Sequence, residues 1–402
     1  MGISSMQDSH VIVAGAGPVG TVAAYYLANK GIKVTLCEAG PDCAHDLRAS
    51  TFHPPTIEML DELDIANAII DKGLVAPIYH FRERQSGEVI EFDLGELESE
   101  KKFPYRVQCE QHVMASNLAR ALENHENCEV LFNHRITAFE QNGDGVEVAI
   151  ENPYEIVKLN AKYLIAADGG GSIIRKWLGA EFDGFTYPEK FLTLSTKLEL
   201  KDYIDNLSYV NYVTDPKEWL VLLRVPSVWR ILVPASEDQS DDFLTSDEYK
   251  EDVLYRLTGQ RDVKTEHRTI YRVHQRVATK FNFGRVFLTG DAAHLNNPLG
   301  GFGMNSGIHD AWNVCEKIVT CLESQHDDDL FAVFDRQRRK VTHDFIQAQT
   351  MQNKTLLEHG HAATHKKKLQ EMRDIQQDPV KRRQFLLKQS MYESLDNAAS
   401  IA

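Results

Sequence analysis

The chain lacks any apolar run approaching the roughly 18 uninterrupted residues that a membrane-spanning helix needs, so no membrane partner is expected. Its opening, MGISSMQDSH, has neither a basic leader nor an apolar segment, and Met6 stands where a myristoylation signal wants serine or threonine. Cysteine is sparse, at six in 402 residues without a C-x-x-C pair. That argues against a disulfide scaffold or a cysteine zinc site and reads as reduced thiols in a cytoplasmic protein. The 16 histidines include no H-E-x-x-H spacing, so no metal is expected. Positive charge is also in short supply: 44 Lys and Arg stand against 59 Asp and Glu, a formal net charge of -15. A surface that binds nucleic acid or anionic lipid needs the opposite sign, because it must release counterions. The basic runs HKKKLQ and KRRQF are read as solvated helix faces.

What is present is ordinary for a globular enzyme, with 43% hydrophobic and 26% charged residues and length for about two domains. Val11 to Ala14 form a buried strand that runs into Gly15-Ala16-Gly17-Pro18-Val19-Gly20 and then an apolar helix. Each glycine of this dinucleotide fingerprint has a task. Gly15 makes the tight turn, Gly17 lets a pyrophosphate reach the backbone, and Gly20 packs helix on strand. A second strand, Lys33 to Cys37, delivers Glu38, whose carboxylate suits ribose hydroxyls.

Far along the chain the pattern recurs in a different form. Val286 to Leu288 read as a strand buried on both faces, ending at Gly290-Asp291. Gly300, Gly301, Gly303 and Gly307 then let the backbone approach a flat or phosphorylated ligand, and a helix begins near Met304 and Asn305. Between the two stretches, an apolar strand closes on Asp168-Gly169 in AADGGGSIIRKWLG.

GDAAH, a proline and GGFGMN, together with the fingerprint and the Asp168-Gly169 stretch, resemble the motifs of the group A flavoprotein aromatic hydroxylases over about residues 9–350. The resemblance implies an α/β fold, with a Rossmann-like FAD-binding domain, an inserted β-sheet substrate domain and a C-terminal helical segment. It implies one FAD touched by the fingerprint residues, Glu38, Arg48, Gln111, Asp168, Arg175, Gly290, Asp291, Gly301, Gly303, Met304 and Asn305, with Pro298 beside the flavin ring. It also implies that NADPH or NADH reduces the flavin, and that O2 is added to a small aromatic or N-heteroaromatic substrate through a C4a-hydroperoxyflavin. An FAD dehydrogenase or reductase of the same fold, or a non-catalytic ligand-binding flavoprotein, remain the alternatives.

The expected cofactor domain is discontinuous, built from 1–76, 108–181 and 275–322. A β-hairpin at 77–107 lies on the substrate side, a substrate sheet domain covers 182–274, and helices fill 323–402. Within the sheet domain Tyr209, Tyr212 and Arg224 are the candidate substrate residues. Arg224 shares strand parity with Leu220 and Leu222, and is expected to be part-buried and to meet either a protein acid or a ligand anion. A monomer or homodimer is expected.

Overall fold

The structure is a computed structural model that describes residues 11–45, 49–215, 218–324, 328–358 and 362–402. Five short apolar segments form a parallel sheet in the order Val286–Leu288, Tyr163–Ala166, Val11–Ala14, Val34–Cys37 and Cys128–Leu131. Asn282–Phe283 adds an antiparallel edge, completing a six-stranded sheet. Val11, Ile12 and Val13 have no exposed surface, as expected of a central parallel strand covered on both faces. The helix Pro18–Asn29 starts with Pro at its first turn, where no hydrogen bond is lost, and packs on the long helix Phe302–Ser324.

The second layer is an eight-stranded sheet. Its order is His294–Leu295, His267–Ala278, Phe182–Thr196, Trp229–Ala235, Leu220–Arg224, Val210–Thr214, Ile78–Glu83 and Val89–Asp93. The hairpin Ile78–Asp93 joins it through a parallel pairing of Tyr79 with Val210. At the opposite edge His294 and Leu295 pair with Val277 and Arg276, three residues after Asp291, which stitches the acidic turn directly to the sheet. The face bearing Leu220, Leu222 and Ile231 is covered by the helix Asp247–Thr258, whose Val253 and Leu254 pack into the same cluster. That helix was not foreseen from sequence; Ser246 caps its start and Gly259, at φ 71°, ends it.

The C-terminal helices wrap back onto the hairpin. Arg373 pairs with Glu88, Arg382 with Glu96 and Arg383 with Glu100. The KRRQF arginines are therefore spent on docking a helix, although partly exposed pairs of this kind each contribute about 0–1 kcal/mol. No helix among the described residues is long and apolar enough to cross a membrane.

Candidate active site

The fingerprint glycines separate by what a side chain would meet. A Cβ on Gly20 would lie 1.9 Å from the Gly15 carbonyl oxygen, and one on Gly15, at φ 98°, would lie 2.4 Å from that of Ala167. A Cβ on Gly17 would meet nothing within 4 Å. Two glycines are thus required for packing, while the third opens space in front of the helix N-terminus, where backbone N–H groups and the helix dipole favour an anion. Glu38 stands beside this opening. Its carboxylate accepts hydrogen bonds from Ala16 N at 2.7 Å and Gly40 N at 2.8 Å, so it shapes the fingerprint loop.

Asp168 caps the helix Ile173–Trp177 by accepting from Ile173 N at 2.9 Å through Oδ2, while Oδ1 is buried without a partner. Burial pushes its carboxyl above the usual range, although backbone and Ser172 donors oppose that. Arg175 donates to Ala292 O at 3.0 Å and to Gly170 O at 2.7 Å, and its guanidinium lies 3.9 Å from the Phe182 ring centroid. It clamps the two acidic loops together. The opening at Gly17 and the orphan oxygen of Asp168 both fit a long dinucleotide threaded past these loops.

Gly290 turns at φ 58°, with Val19 packed 3.0 Å from where its Cβ would be. Its N–H donates to Asp310 Oδ2 at 3.1 Å. Asp310 also accepts from His294 Nε2 at 2.8 Å and from Arg338 Nε at 2.7 Å, all three side chains being buried. Burial pushes the Asp310 carboxyl up, but Arg338 and His294 outweigh it and hold the group below the usual carboxylate range. Downstream, Gly301 N bonds to Pro298 O at 3.0 Å, and Asn305 fastens the loop, donating to Thr51 O and Gly301 O while accepting from His53 N.

Between these loops and the eight-stranded sheet lies a cavity of about 810 Å³. Asp291, Pro298, Gly300, Gly301, Gly303 and Met304 form its cofactor side, while Tyr212, Val221, Leu223 and Leu232 form the facing sheet side. Arg175, Arg230, Arg272 and Arg276 also line it, so the cavity is locally cationic within an acidic protein.

Several expected residues lie elsewhere. Arg224 does not line the cavity: its Nε is 3.8 Å from Glu199 Oε2, and Nη1 donates to Val225 O. The parity argument was correct, but Leu220 and Leu222 face the helix-covered side, whereas Val221 and Leu223 face the cavity. Tyr209 also lies off the cavity, beneath the Lys201 ammonium at 4.3 Å. Gln111 begins the helix Gln111–Glu123 outside the cavity lining, with its N–H on Ala49 O. Asn305 is turned inward onto protein groups, and Arg48 lies outside the described residues. Sequence reading missed Arg230, which is buried, cross-strand from Leu223, and donates to Ser50 Oγ at 3.2 Å. The alternation Trp229, Arg230, Ile231, Leu232 carried the signal, since it sets Arg230 and Leu232 on one face.

A fingerprint, two further acidic turns from distant strands and a sheet roofing the cavity between them define an FAD-binding fold of the aromatic-hydroxylase type. The chain belongs to the FAD binding domain family, whose pattern it matches over residues 8–349. It is similar to para-nitrophenol 4-monooxygenase of Pseudomonas sp. (strain WBC-3), 28% identical over 382 residues and covering 94% of each chain. It is also similar to 6-hydroxy-3-succinoylpyridine 3-monooxygenase HspB of Pseudomonas putida (strain DSM 28022 / S16), at 27% identity, covering 87% of this chain and 89% of that one. Among solved structures, p-nitrophenol 4-monooxygenase PnpA from Pseudomonas putida DLL-E4 superposes with a TM-score of 0.91 at 27% identity, covering 97% of this chain and 98% of that one. The protein is a flavoprotein monooxygenase, and its cofactor is FAD.

The site carries an immediate expectation. Glu38→Ala removes the acceptor for two loop N–H groups beside the fingerprint, and should weaken FAD retention about ten- to a hundredfold, the value of one charge-assisted hydrogen bond. Flavin titration of the apoprotein measures it, and an unchanged affinity would remove Glu38 from the cofactor site.

Proposed function

We propose that the protein hydroxylates a small aromatic or N-heteroaromatic compound, using NADH or NADPH and O2, in a reducing cytoplasmic setting. The observation that carries this reading is a cavity shared by the glycine-rich loops and a largely apolar sheet face, with room for a flavin ring and a small aromatic together. When bound, FAD would supply the redox chemistry that activates oxygen.

The chain's own part is positional. Pro298 and the backbone of Gly300 and Gly301 floor one side of the cavity and would hold the flavin beside the substrate. Val221, Leu223 and Leu232 keep water from the reacting oxygen. Tyr212 is the candidate for holding the substrate's phenolic proton at its hydroxyl. In support, it lines the cavity and its ring is fixed by stacking on Phe81 at 5.2 Å. Arg175 binds the two acidic loops together, and we assign it the secondary role of steadying them as nicotinamide and flavin meet.

Nicotinamide oxidation should run slowly alone and quicken at least about tenfold, a barrier change near 1.4 kcal/mol, when a suitable phenol binds. Oxygen uptake and hydroxylated product should rise with it. Flavin reduction indifferent to every aromatic tried, with no oxygen incorporated, would instead make the chain a reductase.

A further inference from the structure

No described residue beyond Met304 lines the cavity, yet the helices that follow hold its wall from behind. Leu295, Asn296, Pro298, Leu299 and Gly300 belong to that wall, and the main chain of this segment is met on its other side by side-chain amides. Gln347 Nε2 donates to Leu295 O at 3.0 Å, Asn297 N donates to Gln275 Oε1 at 3.0 Å, and Asn353 Nδ2 donates to Leu299 O at 3.2 Å. Contacts at 295, 297 and 299 follow the period of two of an extended chain, so three amides stand where a neighbouring strand would. Asn297, which has no exposed surface, also accepts from Leu299 N at 3.1 Å through Oδ1 and so ties the chain across Pro298.

Gln275 joins three parts of the fold. It lies on the strand His267–Ala278, between His274 and Arg276 of the cavity wall, and its Nε2 donates to Thr350 Oγ1 at 3.0 Å and to Gln347 O at 3.4 Å. Gln347 closes a π-helical turn, Thr342–Gln347, a rare widening that is frequent at functional positions. Thr350 and Asn353 follow on the helix Ala348–Leu357, and the spacing of three sets all of them toward one face. Asn353 is steadied in turn by Gln349 and Gln389, which donate to its Oδ1 at 3.1 and 3.4 Å. Each of these side chains is buried. Burying an amide costs free energy unless it is bonded, and apolar packing would serve stability alone. What amides add is direction, because a hydrogen bond weakens steeply as its angle or length departs from the best value.

We propose that Gln275, Gln347 and Asn353 are positioning residues: their amides hold segment 295–300 at a fixed distance from the substrate sheet, so that oxygen reaches the aromatic ring instead of being lost as hydrogen peroxide. The inference rests on the hydroxylase reading. With transfer, NAD(P)H, a proton, O2 and the aromatic give NAD(P)+, water and the hydroxylated ring. Without it, NAD(P)H, a proton and O2 give NAD(P)+ and hydrogen peroxide. Both outcomes consume the same reductant, and the geometry around Pro298 selects between them, since a displacement of about 1 Å at a reacting centre costs roughly a hundredfold in rate.

The test compares FAD-loaded wild type with Gln275→Met, which keeps the length of the side chain but neither hydrogen bond, and with Asn353→Leu as an independent second variant. Phenol, 3-hydroxybenzoate and 3-hydroxypyridine are the probes. In both variants hydrogen exchange in peptide 295–304 should quicken at least about tenfold, the value of one lost buried hydrogen bond. Hydroxylated product per nicotinamide oxidised should fall at least about threefold, with hydrogen peroxide making up the difference, while KM for the probe stays within about threefold. Val253→Ala, a core change in the helix Asp247–Thr258, should lower the melting temperature and leave the product ratio at the wild-type value, because that ratio does not depend on how much enzyme is folded. Unchanged exchange in both variants, or a product ratio that Val253→Ala shifts as far as they do, overturns the proposal. A wild type that hydroxylates none of the probes, while both variants free the segment and alter the visible circular dichroism of bound flavin, would sink the hydroxylase reading alone. Wild-type hydroxylation with a product ratio that neither variant moves would sink this one alone.

Discussion

Asp310→Ala should destabilise the protein by about 3–5 kcal/mol, the cost of leaving a buried charge without its partner, and should release FAD as well. The carboxylate is fully buried and joins three parts of the fold. Through Oδ2 it holds the Gly290 N–H of the acidic turn and His294 of the sheet edge; through Oδ1 it holds Arg338 of the helix Asp328–Val341. Arg338 retains only Ser306 O and Oγ at 3.3 Å once the carboxylate is gone. The flavin effect is expected because Asp310 anchors the turn that carries Asp291 into the cavity wall. Pairing the substitution with Arg338→Met supplies the control: removing both charges should cost clearly less than the sum of the single changes. Additive losses in denaturant unfolding would mean that the two groups act independently.

This buried network shows where sequence reading stops. The fingerprint, the acid after the second strand and the Gly290-Asp291 turn were legible because each is a local event in which glycine spacing and a buried apolar run specify the backbone. The carboxylate–arginine–histidine network spans residues 294 to 338 with no motif, and only tertiary packing brings it together. Arg224 shows the same limit at one strand. Alternation divided its residues correctly into two faces, but both faces are buried, one by a helix and one by a cavity, so periodicity could not say which faced the ligand. The partnering of Tyr79 with Val210 is a pairing across more than a hundred residues that no local signal announces. Local signals fixed the cofactor side of the site, and the non-local sheet determined the substrate side.

Acid should unfold the protein through His309. The ring is 1% exposed, with Nε2 at 2.9 Å from Thr56 Oγ1 and Nδ1 unpartnered. Burial, reinforced by the charge of Arg338, brings its pKa down from 6.5 to about 3. Above 6.5 neither the folded nor the unfolded chain protonates this ring, so its neutral state is without penalty. Between 6.5 and about 3 the unfolded chain binds a proton that the folded one refuses, so stability falls by about 1.4 kcal/mol per pH unit, approaching roughly 5 kcal/mol in all. His53, also shifted well down by burial, adds loss of the same sign. His309→Gln keeps a polar group against Thr56 but cannot titrate, so its unfolding free energy should fall less steeply over this window. Denaturant titrations at pH 7, 6, 5 and 4 provide the comparison, and equal slopes for variant and wild type would show that the acid sensitivity arises elsewhere. Because His309 lies on the helix Phe302–Ser324 beside Asp310, and Thr56 on Pro54–Glu62, acid loss of this contact should loosen the cofactor loops as well, so FAD release should follow the same pH course.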